Sequence, residues 1–526
     1  MFDIIIKNGV IIDGTGNSMQ KEDIAIKEGM IVEIGDLYNE TADKIIDAKN
    51  RYVTPGFIDV NNHSDTRWRI FSNPKLESLI YQGITTIIGG NCGSSLAPLH
   101  NSEMIKSIRK WFDINNINVN WVTVGDFLEE VRKAELSVNF GTMIGHSTLR
   151  RGLLGDSTRD MTEEESTIME DMTSKAMKDG AFGISSGLVY SHAKLAPKSE
   201  IERLGKIVDI FSGVYTTHIR DESDNILESI DEAIETAKKS NKNIHISHLK
   251  IMGEKNWELV DKILDKIGKA YADGINISFD VFPYTATGSV LYTFLPSWVS
   301  KGGRKAMISR LKDDNLKEKI IREMRDDSID YAKIIVAMYS MGKTLTRRII
   351  ADIAQSQCKS PEEIVIDLLV ASDGRIITIT EALSEENLEK FIQHPLSIIS
   401  SNGSGYNLEY KNTGELVHPR DFGSFPKVLA HYVKKKGILS WEKAIYKMSG
   451  APAERFGIEK RGVIKVGNHA DIVILDPETV NDIATINKPY QYPVGINYVL
   501  VNGKIALEEG LFVDAKNGSV ILKGRY

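Results

Sequence analysis

The chain of 526 residues has little cysteine, no long apolar run and no excess of positive charge. Its two cysteines, Cys92 and Cys358, lie far apart in sequence, which excludes a disulfide framework and indicates a reducing compartment. No apolar run approaches the ~18 residues that a membrane helix needs. Lys and Arg total 65 against 72 for Asp and Glu, and a net charge of −7 argues against binding nucleic acid by bulk electrostatics.

Internal repeats and low-complexity tracts are also absent from the sequence. Apolar residues make up 42% of the chain and charged residues 26%, so a large folded core is expected rather than disorder. The opening residues, MFDIIIKNG, carry an early acid and are typical of a strand rather than of a signal peptide. We therefore expect a soluble cytoplasmic enzyme that acts on a small molecule, as a monomer or a small homo-oligomer.

The two ends of the chain are similar in pattern. Residues 1–55 and 455–526 contain short β-rich runs separated by glycines. These ends flank residues 56–454, which have a different pattern of apolar residues. We predict that both ends contribute strands to one small sheet domain.

Residues 56–454 alternate short apolar strands with amphipathic helical stretches, which predicts a parallel (β/α)8 barrel of the TIM type within an α/β fold. More than a hundred residues separate the last two predicted strands, and residues 285–345 are predicted to form an inserted lid. The eight predicted strands are 56–62, 85–90, 137–145, 181–185, 214–220, 243–250, 276–284 and 396–402.

Polar residues at the ends of these strands are the main chemical signal, because active sites of parallel barrels lie at the carboxyl ends of the strands. His248 and Lys250 share one face of their strand, since side chains alternate with a period of two. His218 and His63 end two other strands.

Two inward histidines together with a thiolate at Cys92 would form a zinc site with three protein ligands and one open position. Each residue also has a structural interpretation. A buried histidine is often a hydrogen-bonded core residue, and a cysteine beside glycines often packs as a small apolar side chain. The residues alone leave both interpretations open.

Several segments in order along almost the whole chain carry a more specific signal. They are residues 55–59 (PGFID), 83–93 (GITTIIGGNCG), 145–150 (GHSTLR), 183–190 (GISSGLVY), 217–222 (THIRDE), 246–250 (ISHLK), 418–420 (HPR) and 467–473 (GNHADIV). Together they resemble the N-acyl-D-amino-acid deacylases (D-aminoacylases) of the amidohydrolase superfamily. The resemblance implies a barrel joined to a β-sandwich that both chain ends build. It also implies a tightly bound zinc at Cys92, His218 and His248.

The resemblance further implies a clamp for the carboxylate of the substrate. Lys250 and Arg420 would supply the charges, and Tyr190 and Tyr284 would supply hydroxyl groups. An arginine fork and a lysine point charge together suit a carboxylate. The alternative for Lys250 is an interior cation that an acidic neighbour satisfies.

This chain departs from the family pattern at two positions. The His-x-His pair that ends the first strand in the family here reads Asn61, Asn62 and His63. Asparagine is a poor zinc ligand, so the second metal position is weakened and we expect one zinc per chain. The family's Ser-Asp-Gly after the eighth strand reads Ser401, Asn402 and Gly403.

The change at Asn402 removes the group that the resemblance assigns to proton transfer. An amide offers no titratable group at neutral pH, and losing a general acid–base costs about 10²- to 10⁴-fold in rate. His63 is our first candidate to replace it, because imidazole can relay a proton near neutral pH. Asp65, Asp221 and Glu222 are the other candidates.

The sequence thus predicts a zinc-dependent amidohydrolase that acts on the C–N amide bond of an N-acyl (D-)amino acid or a close analogue. The predicted reaction is attack of a zinc-activated water on the acyl carbonyl. Two alternatives remain open. The chain could catalyse an isomerisation, cyclisation or acyl transfer at the same zinc, or it could be a binding protein without turnover.

Overall fold

The computed structural model describes residues 1–101, 104–108, 119–240, 242–327, 329–339 and 341–524 of the chain. Residues 328 and 340 of the predicted lid, and residues 525–526 of the predicted terminal domain, lie outside the described residues.

Strands alternate with helices through most of this structure, and their bounds follow in chain order. The strands up to residue 145 are β1 (Phe2–Lys7), β2 (Val10–Ile11), β3 (Gln20–Lys21), β4 (Asp23–Lys27), β5 (Met30–Gly35), β6 (Ala42–Asp47), β7 (Tyr52–Pro55), β8 (Phe57–Asp59), β9 (Ile84–Gly89), β10 (Asn139–Thr142) and β11 (Ile144–Gly145). The later strands are β12 (Gly183–Gly187), β13 (Val214–His218), β14 (Asn243–Ile246), β15 (Asn276–Val281), β16 (Ala286–Val290), β17 (Ile334–Tyr339), β18 (Ile376–Glu381), β19 (Ser397–Ile399), β20 (Ile472–Leu475), β21 (Ile496–Val501), β22 (Lys504–Glu508) and β23 (Leu511–Phe512).

The helices are α1 (Arg69–Ser72), α2 (Glu77–Ile80), α3 (Val124–Ala134), α4 (His146–Leu154), α5 (Glu163–Lys178), α6 (Lys198–Ile210), α7 (Ile226–Lys239), α8 (Val260–Ala272), α9 (Gly303–Leu311), α10 (Asp314–Asp326), α11 (Ile350–Ser356), α12 (Pro361–Ala371), α13 (Glu385–Gln393), α14 (Arg420–Lys427), α15 (Trp441–Met448) and α16 (Gly450–Phe456). A π-helix, Val428–Lys435, continues α14. Among the described residues, no helix combines the length and the apolarity that crossing a membrane requires.

The parallel strands position the rest of the molecule. Strands β8, β9 and β10 form one parallel sheet, and β11 to β15 with β19 form a second in sequence order. Only Met143 separates β10 from β11, so each of the eight predicted strands overlaps an observed parallel strand. The backbone N–H of His63, after β8, donates to the carbonyl of Gly403, after β19, at 2.7 Å. The carboxyl ends of the first and last parallel strands are therefore adjacent.

Helices cover these strands because their sequences place apolar residues on one face. In α7, Ile226, Ile230, Ala233 and Ala237 recur at three- and four-residue spacing, and all are buried. Helix α5 begins with a capping box between Thr162 and Glu165, which satisfies backbone N–H groups that the first turn leaves without partners.

Two other sets of strands lie outside this parallel arrangement. Strands β16, β18 and β17 form an antiparallel sheet between the seventh and eighth parallel strands, and an apolar cluster that runs from Leu291 to Ile376 packs with the helices of this segment. Strands from both chain ends form a seven-stranded sheet, β23-β22-β21-β20-β7-β2-β3, and β5-β4-β1-β6 form a further sheet. One core cluster, which includes Ile4 and Ile472, contains residues from both of these sheets. The structure is thus a mixed α/β fold.

A buried ionic contact connects the C-terminal strands to the parallel sheet. Asp471, next to β20, is 4% exposed and pairs with Arg461. Its carboxylate also accepts hydrogen bonds from Asn139 Nδ2 of β10 at 3.1 Å and from the Asn502 backbone N–H at 2.7 Å. Three distant segments therefore depend on one carboxylate.

We expect Asp471→Ala to destabilise the fold by about 3 to 5 kcal/mol, because removing one partner leaves the other charge buried without compensation. Urea denaturation followed by circular dichroism measures this loss. The control is Asp514→Ala, which breaks an ion pair with Lys75 in which both side chains are exposed, and which should change stability little. Equal effects of the two substitutions would contradict the structural role of Asp471.

Candidate active site

The three predicted metal ligands lie together at the carboxyl ends of the parallel strands. Cys92 follows β9, His218 ends β13 and His248 follows β14, and all three are buried. One ligand atom from each lies within 4.8 Å of the others, and Cys92 Sγ is 3.2 Å from His248 Nε2. Sulfur and imidazole nitrogen are the donors that zinc prefers, so this set fits a zinc ion.

The backbone takes unusual conformations to bring these side chains together. Cys92 has φ of 52° and His248 has φ of 39°, both in the left-handed region. A Cβ at Gly187 of β12 would collide with the Cys92 carbonyl, so only glycine allows that strand to approach the cysteine loop so closely. Local turns after two strands thus aim both ligands at one point.

A buried carboxylate contacts the cluster from the next loop. Glu222 Oε2 lies 3.4 Å from His218 Nε2, and Oε1 lies 3.4 Å from His248 Nδ1 and 2.5 Å from Lys250 Nζ. Burial would raise the pKa of Glu222, but the charges of His218 and Lys250 outweigh it and hold that pKa well below its usual value. Burial and the Lys250 charge lower the pKa of His248 to about 3, so this histidine is neutral, which is the form that binds metal.

Asp280, at the end of β15, organises the other side of the cluster. Its carboxylate accepts hydrogen bonds from the His248 backbone N–H at 3.0 Å, from His245 Nε2 at 3.0 Å and from Asn61 Nδ2 at 3.2 Å. His245 is thus a buried residue whose ring is held by hydrogen bonds, and Asn61 is directed at Asp280. Sequence reasoning missed Asp280, although an acid inside an apolar predicted strand was an available signal.

His63 and Asn402 lie together beside the cluster. His63 Nε2 is 2.9 Å from Asn402 Oδ1 and 3.9 Å from Cys92 Sγ. Burial, followed by the charges of Arg67 and Arg420, lowers the pKa of His63 to about 3. Asn402 has φ of 47°, a left-handed conformation that asparagine tolerates better than most residues.

These groups line a cavity of 610 Å³ at the carboxyl ends of the strands. The strands of the antiparallel sheet contribute to its wall through Thr287, Gly288 and Thr380. The predicted site residues on the wall are His63, Cys92, Tyr190, His218, His248, Lys250, Asn402 and Arg420.

Arg420 is the wall residue best suited to bind an anion. Its side chain is buried, 5% exposed, and Nε and Nη1 find no hydrogen-bond partner in the part of the chain that the structure describes. The guanidinium stacks 5.3 Å from the ring centre of Phe282. A buried guanidinium with unsatisfied donors is costly unless an anion binds it.

The other predicted clamp residues are distributed unevenly. Lys250 reaches the wall but is paired with Glu222, so the acidic neighbour considered for it is present. Tyr190 lies on the wall, with its ring 5.3 Å from that of His218. Tyr284 donates its hydroxyl hydrogen to the Pro419 carbonyl at 3.4 Å and is not among the described wall residues.

The remaining candidates for proton transfer differ in position. Asp65 accepts a hydrogen bond from the Gly90 N–H at 2.7 Å, is fully buried and lies off the described wall. Burial raises the pKa of Asp65 to about 7. Asp221 reaches the wall, but its carboxylate accepts a hydrogen bond from the backbone N–H of Ser223 at 2.7 Å.

Arg67 also lines the cavity, and no sequence signal had indicated it.

Comparison with known proteins agrees with this geometry. A family model described as the amidohydrolase family matches residues 44–290 and 408–507. The D-aminoacylase of Alcaligenes xylosoxydans xylosoxydans is 30% identical over 522 residues, which cover 99% of this chain and 98% of the relative. The chain belongs to the D-aminoacylase family of amidohydrolases. The resemblance predicted from the sequence segments is therefore confirmed.

Other members of the D-aminoacylase family align over similar lengths. The N-acyl-D-aspartate deacylase of the same organism is 30% identical, over 95% of this chain and 91% of the relative. The structure of N-acyl-D-glutamate deacylase from Bordetella bronchiseptica, complexed with zinc and a phosphonate inhibitor, aligns with a TM-score of 0.84 at 28% identity, over 99% of this chain and 100% of that one. A D-aminoacylase structure aligns with a TM-score of 0.84 at 29% identity, over 99% of both chains. It comes from work on one-metal activation and second-metal attenuation in that enzyme.

We expect Cys92→Ala to lose the bound metal, because two neutral histidines hold a divalent ion far less tightly than a set that includes a thiolate. The metal content of purified Cys92→Ala should fall from about one ion per chain to background. Cys358→Ala changes the exposed cysteine and should retain the metal. Retention of a full complement by Cys92→Ala would show that the cluster is not the metal site.

Proposed function

We propose that this chain is a metal-dependent amidohydrolase that cleaves the C–N amide bond of an N-acyl (D-)amino acid or a close analogue. The observation that carries the proposal is that a three-ligand cluster and the buried Arg420 guanidinium open onto the same cavity. An N-acyl amino acid carries a scissile carbonyl and a carboxylate a few atoms apart, so such a site could hold both groups.

The metal in this proposal is one zinc ion, held by Cys92, His218 and His248. The thiolate favours zinc over magnesium or calcium. When bound, zinc would supply Lewis acidity that polarises the acyl carbonyl and makes water a stronger acid. A second metal position has little support, because the Asn61 amide donates to Asp280 at 3.2 Å.

Arg420 binds the substrate carboxylate in this proposal. Its unsatisfied Nε and Nη1 atoms support that role, since an arginine fork can donate two parallel hydrogen bonds to one carboxylate. Lys250 adds positive charge from the loop after β14, and Glu222 holds its ammonium group in place. Tyr190 borders the same space, whereas Tyr284 supports the Pro419 backbone that precedes Arg420.

The proton pathway is the part of the site that departs from the family pattern. Asn402 Oδ1 can only accept a hydrogen bond, so the hydrogen that it shares with His63 lies on Nε2. His63 then directs an N–H toward Asn402 rather than a basic nitrogen. The pair can orient substrate and water but is a poor general base, and slow hydrolysis is the expected consequence.

The architecture of the proposed enzyme is a barrel with two additions. The contacts between the ends of β8 and β19 support closure of the eight parallel strands into a (β/α)8 barrel over residues 56–454. The shared core of the terminal sheets supports a β-sandwich from residues 1–55 and 455–526. The inserted lid is proposed at about residues 285–345, and β18 pairs with both β16 and β17, which supports including β18 in the same unit.

The direct test measures zinc content and follows N-acyl-D- and N-acyl-L-amino acids by mass spectrometry on the same sample. Release of a free amino acid from protein with about one zinc per chain is the expected result. Bound zinc with no amino acid released would refute the deacylase function. A product of unchanged mass or one that has lost water would indicate a redirected reaction, and binding without any change would indicate a binding protein.

We expect Asn402→Asp to raise kcat by about 10²- to 10⁴-fold, because a carboxylate would supply the missing general acid–base next to His63. Steady-state kinetics on the released amino acid measure the gain. The control is Asn407→Asp, which makes the same change at a residue that caps the 3-10 turn of residues 408–413 and lies off the described cavity wall. Equal rates for Asn402→Asp and the parent would show that the missing carboxylate does not limit the reaction.

A further inference from the structure

The charges on the cavity wall are divided between two sides. The side formed at the ends of β8 and β19 carries two guanidinium groups, Arg67 and Arg420, and no carboxylate among its described wall residues. The opposite side, on the loops after β13 and β14, carries both signs of charge: the acids Asp221, Glu222, Asp224 and Glu254 and the bases Arg220, Lys250 and Lys255. Of these two sides, only the one at the ends of β8 and β19 carries positive charge without a carboxylate among its described wall residues, and we call it the cationic wall.

Arg67 is held on the cationic wall by two segments. Its backbone N–H donates to the His63 carbonyl at 3.0 Å, so its side chain leaves the turn that carries His63. Its Nη1 donates to the hydroxyl of Tyr406 at 3.1 Å. Tyr406 is buried, and its own N–H binds Ser78 Oγ at 3.0 Å. The guanidinium is therefore anchored from behind while it faces the cavity.

The two arginines are close enough for each charge to act on the other. Burial is the main cause that lowers the pKa of Arg420 to about 10, and the Arg67 charge contributes to the same shift. Asp421 acts on both arginines, but its carboxylate accepts the Ser404 N–H at 2.8 Å and lies off the described wall. Glu222, which contacts the rings of His218 and His248, is engaged by Lys250. An anion on the ligand would relieve the repulsion between the guanidiniums.

The order of the strands separates Arg67 from the carboxylate clamp. Lys250 follows β14, and Arg420 follows β19, which is two strands further along the hydrogen-bonded order. Arg67 follows β8, whose end meets the far side of β19. In the order of the strands Arg420 thus comes between the other two cations, and a carboxylate shared by Lys250 and Arg420 leaves Arg67 to a different group.

We propose that Arg67 binds a second carboxylate of the substrate, so that this chain selects N-acyl amino acids with two carboxylates. This inference rests on the proposed function and specifies its substrate class. The second carboxylate belongs either to the amino-acid side chain or to the end of the acyl group. Either source presents the same anion to Arg67.

Two pairs of compounds that differ only by carboxylate and carboxamide distinguish these sources. One pair is N-acetyl-D-glutamate and N-acetyl-D-glutamine, and the other is N-succinyl-D-alanine and N-succinamoyl-D-alanine. Binding to the zinc-loaded protein is measured by calorimetry, and turnover by mass spectrometry. The parent protein should prefer the carboxylate in one pair by about 10- to 100-fold, the range of a hydrogen bond to a charged group.

Variants of Arg67 test whether its guanidinium causes this preference for the carboxylate. Arg67→Met should remove most of the preference while zinc content and melting temperature stay unchanged, and Arg67→Lys should retain part of it. Lys333→Met removes a positive charge from the same cavity wall at an exposed position, and it should leave the preference intact. The comparison separates a local contact from the general charge of the cavity.

The outcomes distinguish the inference from the function on which it rests. Hydrolysis of N-acyl amino acids without a preference in either pair would overturn the inference and leave the proposed function standing. The same holds if Arg67→Met keeps the full preference. Failure of the zinc-loaded protein to bind or cleave any compound would overturn both.

Discussion

The contact between Glu222 and its three basic neighbours is the interaction on which the site depends. One carboxylate lies within 3.4 Å of both histidines of the proposed metal site and 2.5 Å from the Lys250 ammonium group. Without it, a buried lysine would repel any cation in the cluster. With it, the Lys250 ammonium group has a carboxylate partner, so the proposed cationic clamp and the proposed metal site can share one cavity.

Asp280 performs a similar task on the other side of the cluster. It receives the His248 backbone N–H, the His245 ring and the Asn61 amide, and Ser400 adds a further hydrogen bond. Burial would raise the pKa of Asp280, but the hydrogen bonds from His245 and Ser400 and the charges of His245 and His248 together outweigh burial and hold that pKa below the usual value. The turn that aims His248 therefore depends on a carboxylate from the neighbouring strand.

The two asparagines at family positions for histidine and aspartate change the chemistry more than the structure. Asn61 gives its amide hydrogens to Asp280, and Asn402 pairs with His63 at 2.9 Å, so both amides are accommodated in buried positions. However, the Asn61 amide lacks the metal affinity of the histidine in the family pattern, and the Asn402 amide lacks the titratable proton of the aspartate in that pattern. In the proposed function, the residues for binding are thus retained while the proton pathway is weakened.

The parallel strands and the family membership were predictable from the sequence. Alternating apolar runs and helical stretches are local patterns, and the ordered segments from PGFID to GNHADIV together resemble one family. The proximity of Cys92, His218 and His248 followed from their places at strand ends. Only the tertiary structure decided that Glu222 engages Lys250, that Tyr284 turns to Pro419, and that Arg67 reaches the cavity. The reason is physical: these side chains take the partners that folding brings near them, from as far as 339 residues away for Arg67 and Tyr406, and no local periodicity encodes such a choice.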